Sequence, residues 1–395
     1  MDRSESRYDA FLAKLGQEHL RRDLTEVEGV SARTLELGGA RYVNLSSNDY
    51  LGLRFDEALI GRACDWARRY GAGSGASRLV TGNLALFAAL EGKIACLKKM
   101  PQSLVMASGF QANAGILKAL LDPAVVGGDP LVFADRLNHA SMHFGVQAAG
   151  VRQVRYRHLD VDHLAELLRK YAASNEPKFI LTESVFSMDG DIAPISKIAE
   201  LARAHNAMLV VDDAHATGIL GEGGCGLSEG ADLVVGTFSK ALGGFGAYVA
   251  CSKTMRDYLI NRCSALIYST ALPPQVLGAC DAALDALPSM DGARAHVAHL
   301  ASSFRDRAAK LGFDTGSSST QIVPVIMGEA EGALLMSEHL RSAGFWATAI
   351  RPPTVPRGAA RVRCVFTAAH TQDDVDALLA ALSAFKDAVP NARAS

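Results

Sequence analysis

No apolar run in this 395-residue chain is long enough to span a bilayer. The first residues, Met-Asp-Arg-Ser-Glu-Ser-Arg, hold no apolar core of a signal peptide, so a cytoplasmic protein is expected. The seven cysteines (Cys64, Cys96, Cys225, Cys251, Cys263, Cys280 and Cys364) are scattered, odd in number and without a Cys-x-x-Cys pair. That pattern argues against a disulfide framework or a zinc site, and reduced thiols with no metal are expected. An excess of charge of one sign is missing too. With 40 basic and 42 acidic residues the net charge is -2, which selects neither nucleic acid nor an anionic membrane. Gly71-Ala-Gly-Ser-Gly-Ala-Ser-Arg-Leu-Val-Thr-Gly82 is rich in glycine and hydroxyls, but it matches neither a dinucleotide fingerprint nor a P-loop. Repeats and low-complexity segments are absent as well.

What is present reads as an α/β protein. The chain is 49% hydrophobic and long enough for a large domain and a smaller one. An amphipathic helix is predicted over 5–23, with Arg21 and Arg22 at its cationic end. A strand pair at Arg33–Leu37 and Arg41–Leu45 leads into the polar, aromatic loop Ser46–Leu53. From Ser103 onward, short apolar runs alternate with helical patterns, the mark of a mostly parallel sheet with crossover helices. After about Asp291 the signals become those of a small α+β domain. The proline-rich Ile350–Gly358 is predicted to be stiff and extended. A last helix is predicted over Gln372–Ala388, and a frayed tail after Pro390. The boundaries expected are an N-terminal segment 1–47, a large domain 48–288 and a small domain 289–395.

Two strand ends carry the chemistry. Asp232-Leu-Val-Val-Gly-Thr-Phe-Ser-Lys240 is an apolar run closing on hydroxyls and a lysine, with glycines at 243, 244 and 246. A lysine held there is a candidate amine nucleophile, since burial frees its lone pair; a solvated lysine in a glycine turn is the plain alternative. Ala207-Met-Leu-Val-Val-Asp-Asp-Ala-His215 is a second such run, ending in two carboxylates and a histidine. Pyridoxal phosphate needs an amine for its aldehyde, a carboxylate for its pyridine nitrogen and donors for its phosphate. Neighbouring strands ending at Asp212 and Lys240 supply the first two, at the carboxyl edge where open sheets place ligands. Gly109 and Phe110, opening a helix after the strand at Ser103, would offer backbone N–H groups to the phosphate. His139 stands just after another strand, where stacking on a ring competes with a structural role.

The motifs Ser46-Ser-Asn-Asp-Tyr-Leu-Gly-Leu53, Val185-Phe-Ser-Met-Asp-Gly-Asp191, Val211-Asp-Asp-Ala-His215, Thr237-Phe-Ser-Lys240, Ile267-Tyr-Ser-Thr270 and Ile350-Arg-Pro-Pro-Thr-Val-Pro356 together resemble the α-oxoamine synthases. These are pyridoxal-phosphate enzymes of fold type I, and the likeness runs from Leu20 to about Leu379. The resemblance implies a large, mostly parallel sheet domain with a smaller C-terminal α+β domain, and an acyltransferase. Lys240 would carry the cofactor and shuttle a proton, Asp212 would pair with the pyridine nitrogen, and His139 would stack on the ring. Ser187 and His215 would face the ring hydroxyl. Gly109, Phe110 and Thr237 would hold the phosphate, with Ser269 or Thr270 reaching in from a second subunit of a homodimer. The plain alternative for that last pair is an N-cap at Thr270. Arg363 would bind the amino-acid carboxylate with help from Asn48, and Thr354 and Arg21 (or Arg22) would lie along the acyl substrate. The reaction implied joins L-alanine to an acyl-CoA or acyl-carrier protein, a pimeloyl thioester in the member that acts in biotin biosynthesis. Other members, serine palmitoyltransferase and 2-amino-3-ketobutyrate CoA ligase, share the cofactor site and differ in substrates. A binding protein without turnover is disfavoured by the intact Lys240, Asp212 and Arg363.

Overall fold

The structure, a computed structural model, describes residues 5–388. The tail expected after Pro390 lies outside them. The chain forms two units: Asn48–Ser187 with Asp191–Ala295, and the described residues up to Ser47, Met188–Gly190 and those from His296 onward.

The larger unit is built on seven strands, β1 (Gln102–Met106), β2 (Leu131–Asp135), β3 (Gln153–Tyr156), β4 (Lys178–Glu183), β5 (Ala207–Asp212), β6 (Leu233–Thr237) and β7 (Ala247–Cys251). Their order across the sheet is β1-β7-β6-β5-β4-β2-β3. All neighbours are parallel except β7, which runs antiparallel to both β1 and β6. The apolar runs that foretold these strands are continuous because both faces are covered. Val132, Leu181, Val210 and Val235 pack into one core cluster, while Phe133, Ile180, Leu209 and Val211 pack into another. Crossovers through helices Ala140–Ala148, Val161–Lys170 and Ile195–Ala204 keep β2 to β5 pointing one way. β6 and β7 instead form a hairpin: Thr237 pairs with Ala247, and Phe238 N donates to Gly246 O at 3.0 Å. Its turn needs Gly243, whose φ is +61° and where a Cβ would stand 2.5 Å from Arg54 N.

The smaller unit holds a sheet of Glu28–Gly29, Thr34–Leu37, Ala40–Asn44 and Phe345–Trp346, and another of Ile322–Gly328, Ala360–Val365 and Thr348–Ile350. Leu300, Phe304, Leu340, Phe366, Leu378 and Phe385 fill its core. Three local expectations are corrected here. The first helix stops at Gln17 rather than 23, since His19 takes φ +56° and breaks the ladder. Phe345–Trp346 is an unforeseen strand, paired in parallel with Val43–Asn44. Of Ile350–Gly358 only Ile350 continues a strand; the rest folds into two turns, Thr354 N to Arg351 O at 3.1 Å and Ala359 N to Pro356 O at 3.2 Å. Pro352 and Gly358 occupy turn positions suited to their fixed and positive φ.

Candidate active site

At the carboxyl edge of β2, β4, β5 and β6 lies a cavity of about 180 Å³. Seven of the expected residues line it: Gly109, Phe110, His139, Asp212, His215, Thr237 and Lys240. Ser239, the second hydroxyl closing the Lys240 run and with Thr237 a candidate phosphate contact, lines it too, as do Asn113, Glu183 and Ala214, for which no role is expected from sequence. Ser187, Ser269 and Thr270 are not among its lining residues. Gln111 Nε2 donates to Ser269 Oγ at 2.5 Å, and Thr270 makes a β-bridge with Ser77. Thr270 is not an N-cap. The following helix starts at Pro274 with Pro273 as its cap, and prolines leave no N–H there to satisfy.

Asp212 ends β5 at 7% exposure. Asn113 Nδ2 donates to its Oδ2 at 2.6 Å, and Ala214 N to its Oδ1 at 3.0 Å. The same Asn113 amide donates to Ser141 Oγ at 3.0 Å, which lies 2.6 Å from His139 Nδ1. Ser141 N also points at that nitrogen, at 3.3 Å, so Nδ1 accepts and the ring proton sits on Nε2. One chain of hydrogen bonds thus runs from the carboxylate to the histidine. Burial lowers the His139 pKa; Asp212 opposes this and Lys240 adds to it. A neutral imidazole results, suited to lie against an aromatic ring. Glu183, buried at the end of β4, is pushed well above the ordinary carboxyl range by burial and by Asp212, against the pull of Lys240 and of the His139 N–H. That direction favours the uncharged carboxyl at Glu183.

His215 lies beside Asp212 with its Nδ1 2.5 Å from the hydroxyl of the fully buried Tyr50. Thr237 Oγ1 donates to Gly246 O at 2.8 Å and lies 2.7 Å from Ser239 Oγ. These hydroxyls stand with the N-terminus of helix Gly109–Leu120, whose cap Ser108 accepts from Gln111 N at 3.3 Å. A helix N-terminus with two hydroxyls is a site for a phosphate dianion.

The donor set fits pyridoxal phosphate. An amine, a buried carboxylate, a flat neutral histidine and an anion cradle meet in one cavity, over an apolar floor of Ala214 and Val235.

The carboxylate next in sequence is tied up differently. Lys98 Nζ reaches Asp213 Oδ2 at 2.5 Å, Thr217 Oγ1 at 2.7 Å and Cys225 O at 2.6 Å, with both charged side chains wholly buried. Burial works against the Lys98 cation, but Asp213 outweighs it and raises the pKa. Ser184 Oγ and Leu227 N fill the other oxygen of Asp213.

In the smaller unit, Arg363 lies buried in strand Ala360–Val365. Its neighbour Arg361 is committed to Asp189 Oδ1 at 2.6 Å and Met188 O at 3.1 Å. Arg22 rather than Arg21 donates to Thr354 Oγ1, at 2.9 Å, while Arg21 lies 3.7 Å from Asp23. Asn48 accepts from the Tyr50 hydroxyl at 3.3 Å.

Known proteins resemble the chain over nearly its whole length. The model of aminotransferase class I and II matches residues 40–382. The 8-amino-7-oxononanoate synthase of Gluconacetobacter diazotrophicus is 52% identical over 386 residues, covering 95% of this chain and 97% of its own. A variant of serine palmitoyltransferase from S. paucimobilis, solved with a bound PLP–myriocin aldimine, superposes with a TM-score of 0.90 at 26% identity, covering 99% of this chain and 100% of that one. The 8-amino-7-oxononanoate synthase of Francisella tularensis gives 0.75 at 25% identity, over 88% of this chain and 98% of that one.

Proposed function

The chain belongs to the class I and II aminotransferase family, within it to the α-oxoamine synthases, and from that premise we propose that it joins L-alanine to a pimeloyl thioester of CoA or of a carrier protein. The products are 8-amino-7-oxononanoate, carbon dioxide and the free thiol, in biotin biosynthesis. The observation that carries this reading is the meeting of Lys240, Asp212 and the Gly109 helix terminus at one cavity, in a chain 52% identical to a synthase of that name.

Pyridoxal phosphate, when bound, supplies an electron sink for the pair left by the alanine Cα–H bond. Asp212 would keep the pyridine nitrogen protonated, its own position fixed by Asn113 and the Ala214 N–H. Lys240 would hold the aldehyde and, once displaced by the substrate amine, take the Cα proton on Nζ and later return it. His139 would cover one face of the ring, with His215 and Ser187 at the ring hydroxyl. Gly109, Phe110, Thr237 and Ser239 would hold the phosphate. Arg363, assisted by Asn48, would fork onto the alanine carboxylate, and Thr354 with Arg22 or Arg21 would line the acyl chain.

The proposal includes a homodimer with shared sites, in which Ser269 and Thr270 of one chain serve the phosphate held by the other. Tyr268, beside them, is 84% exposed, and the half-exposed Phe110 and Phe144 meet with tilted rings, centroids 5.5 Å apart, an apolar surface suited to a second copy. Among the described residues no helix is long and apolar enough to cross a membrane. We place the enzyme in the cytoplasm.

The test incubates the purified protein with pyridoxal phosphate and panels of amino acids and acyl-CoAs, and identifies products by mass. The pair L-alanine and pimeloyl-CoA is expected to give 8-amino-7-oxononanoate. A product from L-serine and a long-chain acyl-CoA alone would move the chain to the palmitoyltransferase reading, which the backbone match of 0.90 keeps as the second choice. Borohydride reduction and peptide mapping should find the pyridoxyl group on Lys240; a label on another lysine removes the assignment. For the dimer, Lys240→Ala and Ser269→Ala/Thr270→Ala are refolded together. Recovered activity supports shared sites, and activity at the level of the parents, or a monomer on sedimentation, refutes them.

A further inference from the structure

Outside the cavity, a buried cluster joins the two turns that carry His139 and Ser187. Its centre is His158, just after β3. The ring Nδ1 lies 3.0 Å from Asp135 Oδ1 and Nε2 lies 3.1 Å from Asp191 Oδ2. A neutral imidazole donates from one nitrogen only, so a ring that meets a carboxylate at each nitrogen is an imidazolium. Both carboxylates are buried, at 0% and 3% exposure, and leave little room for water to replace the ring. Phe186 meets the ring edge-on, with centroids 4.4 Å apart.

Each carboxylate is built into one turn. Asp135 ends β2, and its Oδ1 also accepts from Leu137 N at 2.9 Å, two residues before His139. Its Oδ2 accepts from Leu159 N at 2.9 Å. Asp191 closes the hairpin that carries Ser187: Phe186 N donates to Asp191 O at 3.1 Å, and Val185 bridges Ile192. We propose that His158 is a positioning residue for the reaction described above, its imidazolium fastening the β2 turn to the 185–192 hairpin and so fixing where His139 and Ser187 stand. The proposal rests on the reading of the cavity as a pyridoxal-phosphate site.

The other ionisable groups around the clamp do not displace it. The charge of Asp135 is felt by Tyr156 on β3, by Glu183 at the end of β4 and by His143, and acts to raise the pKa of each. Arg157 and Asp160, flanking His158 in sequence, pair with each other at 2.7 Å. Burial alone would discharge the ring. Asp135 and Asp191 reverse that and lift its pKa to about 9, so the clamp is charged at neutral pH.

The test uses holoenzyme saturated with pyridoxal phosphate. Product formation by the wild type is measured first, so that failure of the functional reading is seen by itself. His158→Leu should lower kcat at least about tenfold with a KM for L-alanine within about threefold of wild type. It should also lose about half or more of the visible circular dichroism of the bound cofactor, which depends on how the ring is held. His158→Gln keeps one donor and should restore part of both signals. Leu168→Ala, buried in the same core cluster but in neither turn, controls for simple loss of stability and should leave kcat and dichroism as in wild type. Should His158→Leu fail to fold, Asp191→Asn is read instead, with kcat down about threefold or more and the same weakening of dichroism. A folded variant with wild-type kcat and dichroism overturns the proposal, and so does an equal loss in Leu168→Ala. If the wild type makes no product at all, the dichroism alone decides, in the same directions.

Discussion

Asp212 and Asp213 are adjacent in sequence, both buried and both acidic, yet their surroundings differ in kind. Asp213 meets a fully buried lysine at 2.5 Å and is closed off by Ser184 and the Leu227 amide. Among the described residues, the hydrogen bonds to Asp212 come from neutral donors, an asparagine and a backbone N–H, and it lines a cavity. A carboxylate neutralised by its own protein is spent on structure, because removing its partner strands a buried charge. One held by neutral dipoles is oriented but not neutralised, and its charge remains for a ligand.

Four experiments bear on this contrast, the largest effect first. Asp212→Asn should lower kcat by about a thousandfold or more, roughly 4 kcal/mol, with a melting temperature close to wild type, since an amide cannot keep the pyridine nitrogen protonated. Steady-state kinetics beside a thermal melt decide it, and the contrast breaks if stability falls as much as rate. Lys98→Met should show the reverse. Urea unfolding should report a loss of about 3 kcal/mol, while kcat at saturating cofactor changes far less. The third experiment concerns a carboxylate pair held by a titratable cation. His158 has a folded pKa of about 9 against an ordinary 6.5. Its contribution is complete below about pH 6.5 and lost as pH rises through 9, so unfolding free energy should fall by about 3 kcal/mol over that window. The same titration of His158→Gln should be flat; an equal slope in both would assign the effect elsewhere. Asn113→Ala should be mildest, costing about tenfold in kcat, or about 1.4 kcal/mol, because Asp212 keeps its second donor. A thousandfold loss would mean that the asparagine does more than orient.

The strand ends were legible because buried parallel strands read as apolar runs, and a polar residue closing such a run stands out. Asp212, Lys240, Thr237 and His139 were found in this way, and Gly109 and Phe110 from the small residues that open a helix. Glu183 closes its own run by the same rule, but its burial is not visible in one dimension. Asn113 lay within a helical pattern, and only the turn of helix Gly109–Leu120 brings it to Asp212. Tyr50 reaches His215 across 165 positions, which no local pattern records. Phe345–Trp346 is two residues long and pairs with a strand some 300 residues earlier, so neither alternation nor turn chemistry announces it.

The hairpin of β6 and β7 bears on the time course of the chemistry. Lys240 does not sit on a long link to a crossover helix. It stands in a short turn between paired strands, with Gly244 N bonded to Phe238 O at 2.9 Å and Gly243 N to Lys240 O at 2.9 Å. A cofactor held on Lys240 would therefore be held from a turn whose backbone has nowhere to go without unzipping the sheet. Acting as the base, the Lys240 amine would be a tethered reagent whose effective concentration at the Cα proton was set when the protein folded, without the search that a free base makes in solution.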